Sequence, residues 1–175
     1  MASQLEHHIG LIAERLQHLF ELCSKALLDA MSAFASLDEQ EAKRVKHSTE
    51  AIEELADKIE SNVFETIARR QPVASDLRKL ATYLQVSHHL YRVGRYAYKI
   101  AHIVTLAQGL EHYKELESLP KMANMAVETL KIAMGAILTG DLSHIDDLEK
   151  IEAESDRETE EMFQEITDYL RRRRD

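Results

Sequence analysis

Tryptophan is absent from this 175-residue chain, cysteine occurs once, proline twice and glycine five times. A single thiol, Cys23, rules out an intrachain disulfide, which fits a reducing compartment. It lies on an apolar helical register and reads as a buried structural thiol. So few glycines and prolines leave little material for turns, and Ala, Leu, Glu, Lys and Arg dominate, which argues for long helices and few loops. No run of about 18 apolar residues occurs, so no segment reads as membrane-spanning. The N-terminus MASQLEHHIGLIAERLQ lacks a basic stretch followed by an apolar one and does not read as a signal peptide. Positive charge is also short: 22 Lys and Arg stand against 31 Asp and Glu, a net charge of −9. An acidic chain without an extended basic tract is a poor candidate for nucleic-acid binding. The expectation is a soluble cytoplasmic protein with one sizeable domain, or one and a half small ones.

What is present is helical periodicity. Leu5, Ile9, Ile12, Leu16, Leu19, Cys23, Ala26, Ala30 and Ala33 recur at alternating spacings of three and four, and Leu11, Phe20, Leu27 and Phe34 widen that seam into a stripe. Ser36, with Glu39 three residues on, is expected to open a second helix as a capping box. Its inward register reads Val45, Thr49, Ile52, Ala56, Ile59, Val63 and Thr66 or Ile67. That helix should stop at Arg69–Arg70–Gln71, before Pro72. A third should run from about residue 73 to 108, with Pro72 near its first turn and Asp76 placed favourably for the helix dipole. Its expected apolar face includes Leu77, Leu80, Leu84, Leu90, Val93, Ala97, Ile100, Ala101 and Val104. Short connections make these three helices antiparallel neighbours. After a break at Gly109, a fourth helix is expected from about Pro120 to Thr139, ended by Gly140. Ser143 with Asp146 should cap a fifth, which closes on Arg171–Arg174, where the helix dipole favours positive charge.

The last two helices align on the first two without a gap at an offset of 103 positions: Ala30–Met31 falls on Ala133–Met134, Val45 on Leu148, Ile59 on Met162, Val63 on Ile166 and Arg69–Arg70 on Arg172–Arg173. The expected organisation is therefore all-α: a complete three-helix repeat over 1–110, and a two-helix partial repeat over 119–175. Two helices leave a groove that a third would fill, so either the pair packs along the first bundle or a second chain covers it, a symmetric dimer being favoured.

Chemistry-bearing patterns are sparse. Glu152 falls on the inward register of the fifth helix, with Asp156 one turn on. Carboxylates at i and i+4 repel unless a cation lies between them. They read either as a metal-ligand pair or as a charged turn on a solvated rim, among Glu154, Glu158, Glu160 and Glu161. Their counterparts in the second helix are Thr49 and Glu53, where one carboxylate remains. Arg92, Arg95 and Lys99 at i, i+3 and i+7 form a basic stripe, able to hold an anion or to serve as a salt-bridge face. His88 and His89 are adjacent and point about 100° apart, so they cannot clamp one ion. No Glu-x-x-His, phosphate loop or activated nucleophile is present, and nothing in the residues argues for an enzyme.

The segment ARRQPVASDLR, followed by YRVGRYAYKIA, resembles the PhoU family of phosphate-uptake regulators, and so does the repeated three-helix layout. In that family the turn reads Gln-Pro-x-Ala-x-Asp-Leu-Arg, as Gln71–Arg78 does here. The resemblance implies a non-enzymatic regulator of phosphate uptake that meets the ATPase subunit of a phosphate importer, a membrane sensor kinase, or both; a metal-binding helical protein and a structural helical adaptor of another transporter are the alternatives. Gln71–Arg78 and the stripe Arg92, Arg95 and Lys99 are its expected contact faces. It also implies iron or another divalent ion held by acidic residues. In repeat one that chemistry is not expected to carry over, because Tyr91 and Arg95 flank Arg92–Val93–Gly94 where the family has Glu and Asp, and Thr49 replaces one acid. Glu53 stays as a lone candidate ligand, with Arg95 its expected partner. In repeat two Glu152 and Asp156 match the family's helix-two pair.

Overall fold

The structure is a computed structural model that describes residues 4–107, 109–112 and 117–172. Among these residues it contains five α-helices and no strand: α1 Gln4–Ser36, α2 Glu39–Arg70, α3 Ala74–Leu106, α4 Ser118–Thr139 and α5 Ile145–Arg172. The chain is all-α, and it divides into two compact units, Met1–Glu111 and His112–Asp175.

In the first unit α1, α2 and α3 close a bundle. Bonds from Arg70 to Gln4 (2.6 Å) and from Arg15 to Asn62 run α2 against α1, and the approach of His88 to Glu60 (3.3 Å) runs α3 against α2. α1 buries Ile9, Ile12, Leu16, Leu19, Cys23, Ala26, Ala30 and Ala33, the seam read from the sequence, while Leu11 stays exposed. α2 buries Val45, Ile52, Ala56, Ile59, Val63 and Thr66. α3 departs from expectation. Its buried positions are Leu80, Tyr83, Ser87, Leu90, Gly94, Ala97, Ala101 and Val104, again at alternating threes and fours. Leu77 is exposed, and Leu84, Val93 and Ile100 are only half-buried. The 3.5-residue seam holds α3 on its partners and passes through a serine and a glycine on the way.

The turns carry the remaining corrections. Ser36 does not open α2. It ends α1, with its hydroxyl donating to the Ser32 carbonyl at 2.9 Å. Leu37 turns left-handed at φ 53°, and Asp38 is the cap, its Oδ1 accepting from the amides of Gln40 (2.9 Å) and Glu41 (3.0 Å). At the other end Gln71 is left-handed, and its amide donates to the Ile67 carbonyl at 3.1 Å. Pro72 is buried one residue before the extended N-cap Val73, near the first turn of α3 as expected.

The second unit is the α4–α5 hairpin. Gly140 (φ 75°) ends α4, as expected. Ser143 stands one position ahead of the α5 cap, because the helix begins at Ile145, and its amide donates to Asp141 Oδ1 at 2.9 Å. The 103-residue offset has a structural counterpart here. Leu37 and Gly140 are both left-handed, and Asp38 and Asp141, next in line, each accept an amide two residues on. Burial is slight: α4 buries Ala123 and Met134, and α5 buries no residue. Glu152, expected on the inward register, is exposed, while Ile151, Ser155 and Met162 are half-buried. Arg173 and Arg174 lie outside the described residues.

Candidate functional site

The α2–α3 surface is organised by Gly94. A Cβ built there would stand 2.8 Å from Ile52 Cγ2, so the missing side chain lets the two helices approach and opens a cleft of about 170 Å³ above them. Lys46, Glu50 and Glu53 line it from α2, and Tyr91, Arg95 and Tyr98 from α3. The expected Arg95–Glu53 pair does not form among the described contacts. The Tyr91 hydroxyl points to Glu53 Oε1 at 3.4 Å instead. Arg95 lies against the Tyr98 ring, 5.7 Å from its centroid, and Lys46 Nζ sits 5.3 Å from the same centroid. Lys46 also approaches His102 Nδ1 at 3.5 Å. Tyr91 takes the carboxylate, while the Arg95 guanidinium lies against the Tyr98 ring.

The other flank of α3 carries the rest of the stripe. Arg92 donates to the Tyr96 hydroxyl at 3.1 Å, and Lys99 Nζ lies 5.9 Å from the Tyr96 ring. The Arg92 bond holds the Tyr96 phenol below its ordinary pKa, with a smaller contribution from the charge of Lys99. Tyr96 and Ile103 are about half exposed, at 48% and 51%. The stripe is thus not purely basic: Arg92 and Lys99 flank an aromatic ring, while Arg95 turns toward α2. Arg78 is exposed in the Gln71–Arg78 segment. Exposed arginine and tyrosine in one patch are the residue types that anchor protein interfaces. The sequence reading missed Lys46, Tyr96 and Tyr98, although tyrosines three or four residues from Arg and Lys on one helix were the available signal.

In the second unit Glu152 and Asp156 lie exposed on one face of α5, without an ion-pair partner among the described residues. Two carboxylates from one helix fall short of the six or more oxygen ligands a hard divalent ion takes, and among the described residues no group of three His, Cys, Asp or Glu side chains converges as a metal site. Glu53 is engaged with Tyr91, and among the described residues it joins no group of three potential ligands, although Glu50 lines the same cleft. The donor sets present do not fit a resident ion held by a single chain.

The α1–α3 bundle carries cations against tyrosine rings on α3, and comparison with known proteins places it. Residues 16–104 match the family model described as the PhoU domain. The chain is 29% identical over 131 residues to the phosphate-specific transport system accessory protein PhoU homolog 1 of Thermotoga maritima, covering 75% of this chain and 56% of that protein. It is 30% identical over 141 residues to the corresponding homolog of a Burkholderia species, covering 79% and 60%. Against PhoU of Escherichia coli K12 it is 23% identical over 170 residues, covering 97% and 70%. The chain therefore spans little more than half the length of the first of these relatives. It belongs to the PhoU family. No helix among the described residues is long and apolar enough to cross a membrane.

Proposed function

We propose that the chain is a non-enzymatic regulator of phosphate uptake. It acts in the cytoplasm as a homodimer, through protein contacts with the ATPase subunit of a phosphate importer, a membrane sensor kinase, or both. The observation that carries this reading is the family match over 16–104, which spans most of the bundle bearing the Arg92–Tyr96–Lys99 and Lys46–Tyr98–Arg95 faces. Its relatives are named as accessory proteins of phosphate-specific transport systems. Deleting the gene should raise phosphate uptake in cells grown with ample phosphate, and the wild-type gene should restore restraint. Arg92→Glu with Lys99→Glu should fail to restore it and should weaken binding to the importer ATPase subunit by about tenfold or more. Uptake that is unchanged by deletion would remove the regulatory reading.

Metal binding is the second reading, favoured by the missing partners of Glu152 and Asp156. It needs further ligands from water and from a second chain. Metal analysis of the purified protein tests it, iron or another divalent ion being lost on Glu152→Gln with Asp156→Asn.

A further inference from the structure

Positive charge is distributed unevenly between the helices. α3 carries Arg78, Lys79, Arg92, Arg95 and Lys99 against one acid, Asp76. The rest of the chain holds 17 Lys and Arg against 30 Asp and Glu, so a helix of +4 stands in a surround of −13. Elsewhere cations answer acids of their own helix, as Lys25 does Asp29, Lys43 Glu39 and Lys150 Asp147. All five α3 cations are exposed, and among the described residues none of them makes an ion pair.

The outer face of α3 also has the spacing of a seam. His89, Arg92, Tyr96, Lys99, Ile103 and Leu106 follow one another at 3, 4, 3, 4 and 3, the alternation by which one helix receives another. All six are exposed, Leu106 at 71%. The buried seam of α3 runs in parallel two residues away, about 200° round the helix, where Leu90 meets Cys23 and Gly94 meets Ile52. One seam is filled by α1 and α2, and the other looks outward. No carboxylate falls on it.

Charge says what fits. A seam whose charged positions are all cations attracts a helix whose facing positions are acids, and repels a basic one. Arg92 and Lys99 lie about 10 Å apart along the axis, so carboxylates seven residues apart on an incoming helix meet both. Ile103 and Leu106 add an apolar end, which calls for apolar side chains in the same partner. Tyr96 is already placed between the two cations, with Arg92 donating to its hydroxyl at 3.1 Å and Lys99 5.9 Å from its ring, so less ordering is left to binding. An anionic bilayer or a nucleic acid is a broad surface and would meet the −13 surround as well as α3. A helix touches the seam alone.

We propose that the outer face of α3, from His89 to Leu106, receives an acidic amphipathic helix of a partner protein, with carboxylates on Arg92 and Lys99 and apolar residues against Tyr96, Ile103 and Leu106. This rests on the regulatory reading above and names the chemistry of the partner's contact. A photoreactive p-benzoylphenylalanine in place of Tyr96 should cross-link in cells to the importer ATPase subunit or the sensor kinase, at a helix rich in Asp and Glu. Reversing two acids of that helix to Lys should weaken binding of the purified partner by about tenfold or more, and combining this with Arg92→Glu and Lys99→Glu should bring it back to within about threefold of wild type. Raising salt to about 0.5 M should also weaken the wild-type pair by about tenfold or more. Circular dichroism checks that each variant keeps its helices, and the substituted side chains are all exposed. A partner that binds without cross-linking at position 96, or binds Arg92→Glu with Lys99→Glu as tightly as wild type, overturns this face and leaves the regulatory reading standing. A cross-link to a segment poor in acids, to lipid, to nucleic acid or to a second copy of this chain overturns the acidic helix. Loss that the reciprocal swap fails to repair overturns the pairing through Arg92 and Lys99. A chain that binds neither the ATPase subunit nor the kinase overturns both this inference and the regulatory contact it rests on.

Discussion

Gly94 is small because Ile52 occupies the space where a side chain would begin. Adding one methyl forces Ile52 or the α2 backbone to move, since the nearest contact would be 2.8 Å and the next 3.1 Å, both to Ile52. Gly94→Ala should therefore destabilise the first unit by about 1–3 kcal/mol, in the range of overpacked cores. Gly135 is the contrast: it is helical with nothing within 4 Å of a built Cβ. Gly135→Ala should be neutral or stabilise by up to about 1 kcal/mol through helix propensity and a less flexible unfolded chain. Paired urea melts of the two variants read the difference directly. Cys23 makes a second claim at this scale. It is fully buried, its Sγ donates to the Leu90 carbonyl at 3.1 Å, and burial pushes its pKa up to about 12, slightly offset by the Gly94 amide. A thiol reagent should leave the native protein unlabelled at neutral pH and react at once in denaturant.

Between the helices, the polar clip of α4 and α5 sets a pH dependence. Glu154 and Glu158 lie below the ordinary carboxylate range because Lys121 donates to both, and Lys121 is raised by the same bonds. A carboxylate with a lowered folded pKa contributes stability above its unfolded value and loses it as pH falls through the folded one. A lysine with a raised pKa loses its share only as pH rises through the lysine range. The hairpin should therefore loosen as pH drops below about 4 and hold through neutrality. Hydrogen exchange of α4 and α5 amides across an acid series checks this. Lys121→Met should flatten the acid step, and added salt should shrink it, because the clip is at the surface. The same scale shows what the sequence could reveal. α1 was legible because each of its seam positions is apolar, and Gly140 because a glycine after a periodic stretch marks a helix end. The α3 register was not, since Ser87 and Gly94 occupy core positions that hydrophobicity does not flag, while Leu77 and Val93 draw the eye to another face. The caps shifted because both helices begin later than the pattern suggests: Asp38, not Ser36, meets the first amides of α2, and α5 begins at Ile145, two residues past Ser143. At the candidate site Arg95 and Glu53 lay on facing helices. Which side chain reached the acid was decided by ring and guanidinium placement, which spacing alone does not encode.

Across the whole molecule, burial is unequal. Among the described residues, the first unit holds 22 of the 24 buried hydrophobic ones, Ile9 to Val104, and the second holds Ala123 and Met134. With so little apolar surface removed from water, the α4–α5 hairpin has a small margin against unfolding. Heating a dilute sample should give two transitions, the second unit melting first, and α5 amides should exchange far faster than those of α1–α3. A single cooperative transition at every concentration would contradict the separation. α5 buries no residue completely, so a protease meets a helix with little to hold it closed. A timed digestion should therefore cut the second unit first and leave the α1–α3 bundle as the lasting fragment.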